Sequence, residues 1–144
     1  MKVNYFALTW EDYEEYDEYK NEQPHIYETF NENIKNSGFQ DKIIINHGYS
    51  NKEIHNFDDN FFDIIYIIGN HEPDYVLEDA FSSFIKLKVN GIMIFMIMDG
   101  IVHEVEKAID VFVSVYSKRI EYLKLDDIKF LLRKYINYYD KQVD

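Results

Sequence analysis

The residues best placed for chemistry lie in one turn, Ile67-Ile68-Gly69-Asn70-His71, between an apolar run and a helical pattern. A histidine at the end of a strand can act as general base on a substrate hydroxyl, because imidazole titrates near neutral pH. His71, with Asn70 beside it, is therefore the candidate catalytic group. The plainer alternative is that His71 caps the following helix or sits exposed in the turn. Five histidines (His25, His47, His55, His71 and His103) raise the question of a metal. None forms the His-Glu-x-x-His spacing that sets two imidazoles on one helical face. His47 and His71 could meet at neighbouring strand ends, but ordinary polar loop residues account for both, and no metal is expected. There is no cysteine. That removes disulfides, thiolate nucleophiles and cysteine zinc sites together, and it fits a reducing compartment.

The elements that must hold this turn follow from hydrophobic periodicity. Residues 3–8, 42–46, 63–68 and 92–98 read as strands, the last three with solid apolar centres that predict burial on both faces. Residues 25–36 read as a helix, with Pro24 in its first turn, Ile26, Phe30 and Ile34 four apart, and Gly38 ending it. Ser50 can cap a short helical turn. Residues 73–87 form a second long helix with Val76, Ala80, Phe84 and Leu87 inward, and Asn90-Gly91 reads as a turn after it. A third helix over residues 104–116 carries the stripe Val105, Ile109, Phe112 and Val113. Residues 119–125 and 128–135 predict a closing hairpin around Asp126-Asp127. Strands alternating with helices predict an α/β fold with an open, mostly parallel sheet. Ligands of such sheets bind outside the carboxyl ends of the strands, here residues 8–9, 46–48, 68–71 and 96–99.

Composition bounds the partners. A chain of 144 residues with 47% hydrophobic and 17% aromatic content predicts a single globular domain over residues 1–144. Its formal charge of −12 repels phosphate backbones and anionic headgroups, so neither nucleic acid nor membrane is an expected partner. The start turns acidic too soon for a signal peptide, and the longest apolar run is too short to span a bilayer. An intracellular protein is expected. Richness in Ile, Asn, Lys and Tyr suggests an AT-rich coding genome, such as some viruses have. The acidic segment with Tyr13, Tyr16 and Tyr19 reads either as a docking surface or as an amphipathic helix with its tyrosines packed on the sheet.

The order Phe62-Asp63-Ile64-Ile65-Tyr66-Ile67, Gly69, His71, then Val76-Leu77-Glu78-Asp79-Ala80, Leu87-Lys88 and Gly91-Ile92-Met93-Ile94-Phe95 resembles class I S-adenosylmethionine-dependent methyltransferases. The nearest branch is that of small-molecule and sugar O-methyltransferases. Thr9-Trp10, Phe30, Asn33, Gly38 and the pair Gly48 and Ser50 fall into the family's order as well, so the resemblance covers nearly the whole chain. It implies a Rossmann-like three-layer sandwich. The sequence starts at what resembles the family's second strand, and no glycine precedes Gly38. The implied fold therefore lacks the first strand and the glycine-rich cofactor loop, and its expected strand order in the family's numbering is 3-2-4-5-7-6.

The departures bear on function. The resemblance implies an acid for the cofactor ribose where Leu8 stands, and metal-binding acids where Ile68 and Met96-Ile97 stand. Hard cations need oxygen ligands that these side chains lack. Asp99 lies three residues beyond the expected acidic pair and reads as a surface loop residue. The expectation is a methyltransferase-like pseudoenzyme without bound S-adenosylmethionine, kept as a binding or assembly module, with Leu8, Ile68, Met96 and Ile97 packed across the former cofactor crevice. The missing strand leaves sheet edges for a homodimer or a protein partner to fill. The alternative is an active O-methyltransferase of a small molecule or sugar. It would use His71 as base, Gly48, Ser50 and Gly69 at the cofactor, and another subunit or a rearranged loop to complete the site. A fragment of a longer enzyme is a third reading.

Overall fold

The alternation of apolar runs and helical stripes produces strands β1 (Asn4–Leu8), β2 (Ile43–His47), β3 (Phe62–Ile67), β4 (Leu87–Phe95), β5 (Ile120–Tyr122) and β6 (Phe130–Lys134). The helices are α1 (Gln23–Ser37), α2 (Ser50–Glu53), α3 (Pro73–Lys86) and α4 (Val102–Val115). These come from a computed structural model that describes residues 4–8, 23–68, 72–96, 102–123 and 130–135. The tyrosine-rich acidic segment and the Asp126-Asp127 joint lie outside the described residues. The chain divides into two compact units, Met1–Glu53 and Ile54–Asp144.

In the first unit β1 and β2 pair in parallel, from Asn4 opposite Ile43 to Leu8 opposite His47. Parallel neighbours need a crossover, and the chain segment between them contains α1. Helix α1 stops where Gly38 takes a φ of 71°, a left-handed conformation that a side chain would disfavour.

In the second unit four strands form a sheet in the order β3-β4-β6-β5. The β3–β4 pair is parallel and bridged by α3, whereas β6 runs antiparallel to both β4 and β5. Helices α3 and α4 cover one face. Val76, Ala80 and Phe84 from α3 meet Val105, Ala108, Ile109 and Phe112 from α4 over Met93, Phe95, Ile120 and Leu132 of the sheet. These are the stripes that helical periodicity marks out, and the α/β class agrees with the sequence reading.

Three details differ from it. The order 3-2-4-5-7-6 appears as two hydrogen-bonded pieces, β2-β1 and β3-β4-β6-β5, and the second piece is a mixed sheet. The solid apolar run at β3 is not buried on both faces. Ile65 and Ile67 pack against the core, but the alternate side chains of Ile64, Tyr66 and Ile68 are exposed, because α3 and α4 lie on one side only. Finally, Asn90-Gly91 is not a turn. Both residues lie within β4, where Asn90 takes a φ of 65° and the pairing with β3 shifts register between Phe62 and Ile64. The turn chemistry of the dipeptide serves an irregularity inside the strand.

Gly91 is required by space. A Cβ there would stand 2.8 Å from both Leu87 Cδ1 and the Lys88 carbonyl oxygen. The Leu87 methyl can shift, but the carbonyl belongs to the same strand and cannot move freely. Gly91→Ala is expected to cost about 1–3 kcal/mol as overpacking, read from urea unfolding followed by circular dichroism. A cost below about 0.5 kcal/mol, the scatter of ordinary surface changes, would show that β4 opens without strain. No helix among the described residues is long and apolar enough to cross a membrane.

Candidate functional site

The amino-terminal ends of β3 and β4 are firmly tied. Before β3, the Asn60 and Phe61 amides donate to the Ile85 and Lys86 carbonyls at the end of α3, at 3.1 and 2.8 Å. Lys86 pairs with Asp59 at 2.7 Å. Beside them the buried ammonium of Lys134 donates to the Leu87 and Phe84 carbonyls at 2.6 and 2.9 Å and to Asn60 Oδ1 at 3.2 Å. Burial lowers the Lys134 pKa, as does the nearby Arg119 charge, while Asp59 acts the other way. Sequence periodicity gives no place to this residue. Its one signal is a lysine directly following the buried Leu131-Leu132 pair and Arg133.

The carboxyl ends of these strands, where a ligand would bind, are different. There the Met96 amide donates to the Ile67 carbonyl at 3.1 Å. Ile68 is 54% exposed and Met96 45% exposed. The expectation that these hydrocarbons pack across a crevice is therefore not met at either residue. Neither offers a hydrogen-bond acceptor, so a ribose or a hydrated cation meeting them would lose partners that water supplies. Gly69, Asn70, His71, Ile97 and Asp99 lie outside the described residues, so the candidate base and its neighbour have no described geometry.

The candidate cofactor contacts Gly48 and Ser50 belong to the first unit. Gly48 directly follows β2 and Ser50 opens α2. The turn between them is closed by the Tyr49 carbonyl, which accepts from the Lys52 and Glu53 amides at 3.0 and 2.9 Å. A Cβ on Gly48 would meet Glu53 Oε1 at 2.7 Å. Sequence reasoning did not anticipate this carboxylate beside Gly48. Within β2, Asn46 Nδ2 is buried and has no hydrogen-bond partner among the described residues.

His47 is exposed at the end of β2, His55 is exposed in a short 3₁₀ turn, and His25 is exposed 3.8 Å from Glu28. Among the described residues no three His, Asp or Glu side chains are arranged to hold a metal ion.

No protein-family model matches the sequence, and neither does any curated protein sequence. Solved structures do match. A Corynebacterium glutamicum protein superimposes with a TM-score of 0.58 at 9% identity, covering 83% of this chain and 59% of its own. A Methanococcus maripaludis protein, provisionally assigned as an S-adenosyl-L-methionine-dependent methyltransferase, gives 0.52 at 17% identity, covering 80% and 64%. A Podospora anserina methyltransferase solved with S-adenosylhomocysteine bound gives 0.50 at 15% identity, covering 92% and 60%. The chain thus spans less than two thirds of the length of each of these structures. With the strand orders above, the likeness shows that this chain has the α/β, Rossmann-like fold of S-adenosylmethionine-dependent methyltransferases.

Proposed function

We propose that the protein is a methyltransferase-like domain that neither holds S-adenosylmethionine nor transfers a methyl group, and that it serves as a binding or assembly module. On this reading it is an altered form of the small-molecule and sugar O-methyltransferase-like branch, whose middle block its residues 62–95 resemble. The observation that carries the proposal is the hydrocarbon at the described strand ends. Ile68 and Met96 stand exposed where the fold's ligands bind and present no acceptor.

The reading predicts no heat of binding in a calorimetric titration of the full chain with S-adenosylmethionine or S-adenosylhomocysteine at millimolar concentration. One-to-one binding at micromolar affinity would overturn it, and His71→Ala would then be the variant with which to look for a lost general base.

A further inference from the structure

We propose that Asn90 is a modification site: in the folded protein it loses its side-chain amide by reaction with the Gly91 backbone, with water as the only co-reactant. This chemistry is independent of the assembly reading above. Asn90-Gly91 is the sole Asn-Gly step in the 144 residues. A glycine nitrogen can reach the carbon of the preceding carboxamide without a Cβ in the way.

The fold leaves this step outside the pairing of the sheet. Phe62 stands opposite Leu87, and the next register partners are Ile64 and Ile92. Asp63 alone therefore faces residues 88–91 across the β3–β4 pair. The β4–β6 pairing also begins at Ile92. Residues left over in such an irregularity are not held by the ladder. Asn90 is exposed, its backbone takes a φ of 65°, and its carboxamide has no hydrogen-bond partner among the described residues. Gly91 is buried, so the attack goes through a local opening of residues 88–91. That opening breaks no register pair. It disturbs the Lys88–Asp63 ion pair at 3.0 Å, and exposed pairs of this kind contribute little.

The Gly91 nitrogen gives its proton to hydroxide and attacks Asn90 Cγ. The N–Cγ bond forms, the Cγ–Nδ2 bond breaks, and Nδ2 takes a proton from water and leaves as ammonia. Water then opens the five-membered imide. Cleavage of the N–Cγ bond gives aspartate with the normal main chain. Cleavage between the nitrogen and the Asn90 main-chain carbonyl gives isoaspartate, in which the chain runs through Cβ and Cγ. Aspartate only adds a charge to an exposed side chain. Isoaspartate lengthens the main chain between fully buried Leu87 and Gly91, where even a Cβ would stand 2.8 Å from the Lys88 carbonyl oxygen. The start of β4 has no room for it, so the isoaspartyl form is the less stable one.

Incubation of the full chain at mildly alkaline pH, folded or in urea, followed by peptide mass spectrometry, tests the proposal. The Asn90 peptide should gain the mass of an amide-to-carboxyl exchange, in two chromatographic forms, and faster as pH rises. A site that opens only with the whole fold would react about a thousandfold or more slowly than the unfolded chain. The folded chain is expected to react within that factor. A slower reaction overturns the proposal, because the sheet then protects the step after all. Asn90→Gly, which keeps the positive φ at no steric cost, should abolish the product. The same gain in mass in that variant also overturns it, since another amide is then responsible. Asn90→Asp should melt like the wild type, and the isoaspartyl fraction of an aged sample should melt lower. Equal midpoints would overturn the consequence drawn for β4.

Discussion

Phe112→Ala is expected to lower the unfolding free energy by about 3–5 kcal/mol, the usual cost of deleting a buried aromatic ring. Phe112 is fully buried in α4. Its ring centroid lies 5.5 Å from Phe81, 5.5 Å from Phe84, 6.1 Å from Phe95 and 5.2 Å from Tyr116, in each case nearly edge to face. Edge-to-face pairs each add about 0.5–1.5 kcal/mol beyond the area they bury, and alanine loses all four at once. The neighbours are held by α3, by β4 and by the turn that follows α4, so they cannot all collapse into the space left behind. Domains of ordinary stability have about 5–15 kcal/mol in total, so the loss is a large fraction. Urea unfolding followed by far-ultraviolet circular dichroism measures it. The shift should appear in the transition that reports the unit Ile54–Asp144. Phe112→Leu, which keeps most of the volume, should cost much less. Equal costs for the two would mean that the rings, as rings, contribute nothing.

Lys134→Met is the second large effect. The side chain is only 4% exposed, and its ammonium lies 4.9 Å from the centre of the Phe84 ring. Methionine keeps the apolar stem and removes the donor. The Phe84 and Leu87 carbonyls at the junction of α3 and β4 then lose a charged partner. Stranding buried acceptors in this way costs about 1–3 kcal/mol, and hydrogen bonds to charged groups lie toward the upper end. The expected loss is about 2–3 kcal/mol at neutral pH. The pH dependence has a definite sign. Burial puts the folded pKa below the ordinary lysine value of 10.5, so the unfolded chain holds the proton more tightly. The cost of keeping the ammonium buried is full below the folded pKa and is relieved as pH rises toward the unfolded value. The stability of the wild type relative to Lys134→Met should therefore increase across that alkaline window. A flat or falling difference would reverse the assignment.

Much of this fold is legible in the sequence because helix stripes are long and regular. Val76, Ala80 and Phe84 at intervals of four, and Val105, Ile109 and Phe112 at intervals of three or four, mark the faces that meet in the core. Strand burial was harder to read. A run such as Ile64-Ile65-Tyr66-Ile67-Ile68 looks the same whether helices cover both faces or one, since periodicity carries no information about which neighbours are present. Asn90-Gly91 misleads for a related reason: the same dipeptide serves a tight turn or a positive-φ irregularity within a strand. At the candidate site the sequence placed Ile68 and Met96 where the resemblance implies acids. It could not show that both side chains would stand open, or that the Glu53 carboxylate would close on Gly48. Those facts depend on tertiary placement, to which residue type is blind.

The order β3-β4-β6-β5 has a consequence for synthesis. Of the described strands, the one made last lies between two made earlier. While β6 is still inside the ribosome, β4 has an open apolar edge and β5 has no neighbour to pair with. The stretch from Phe95 to Lys134 takes about 2–8 s at 5–20 residues per second. For that interval the nascent chain exposes a sheet half built around its own vacancy, and its need for chaperone protection is concentrated there. The closing step brings in Lys134 together with the strand, so the ammonium and the core it locks arrive at the same moment.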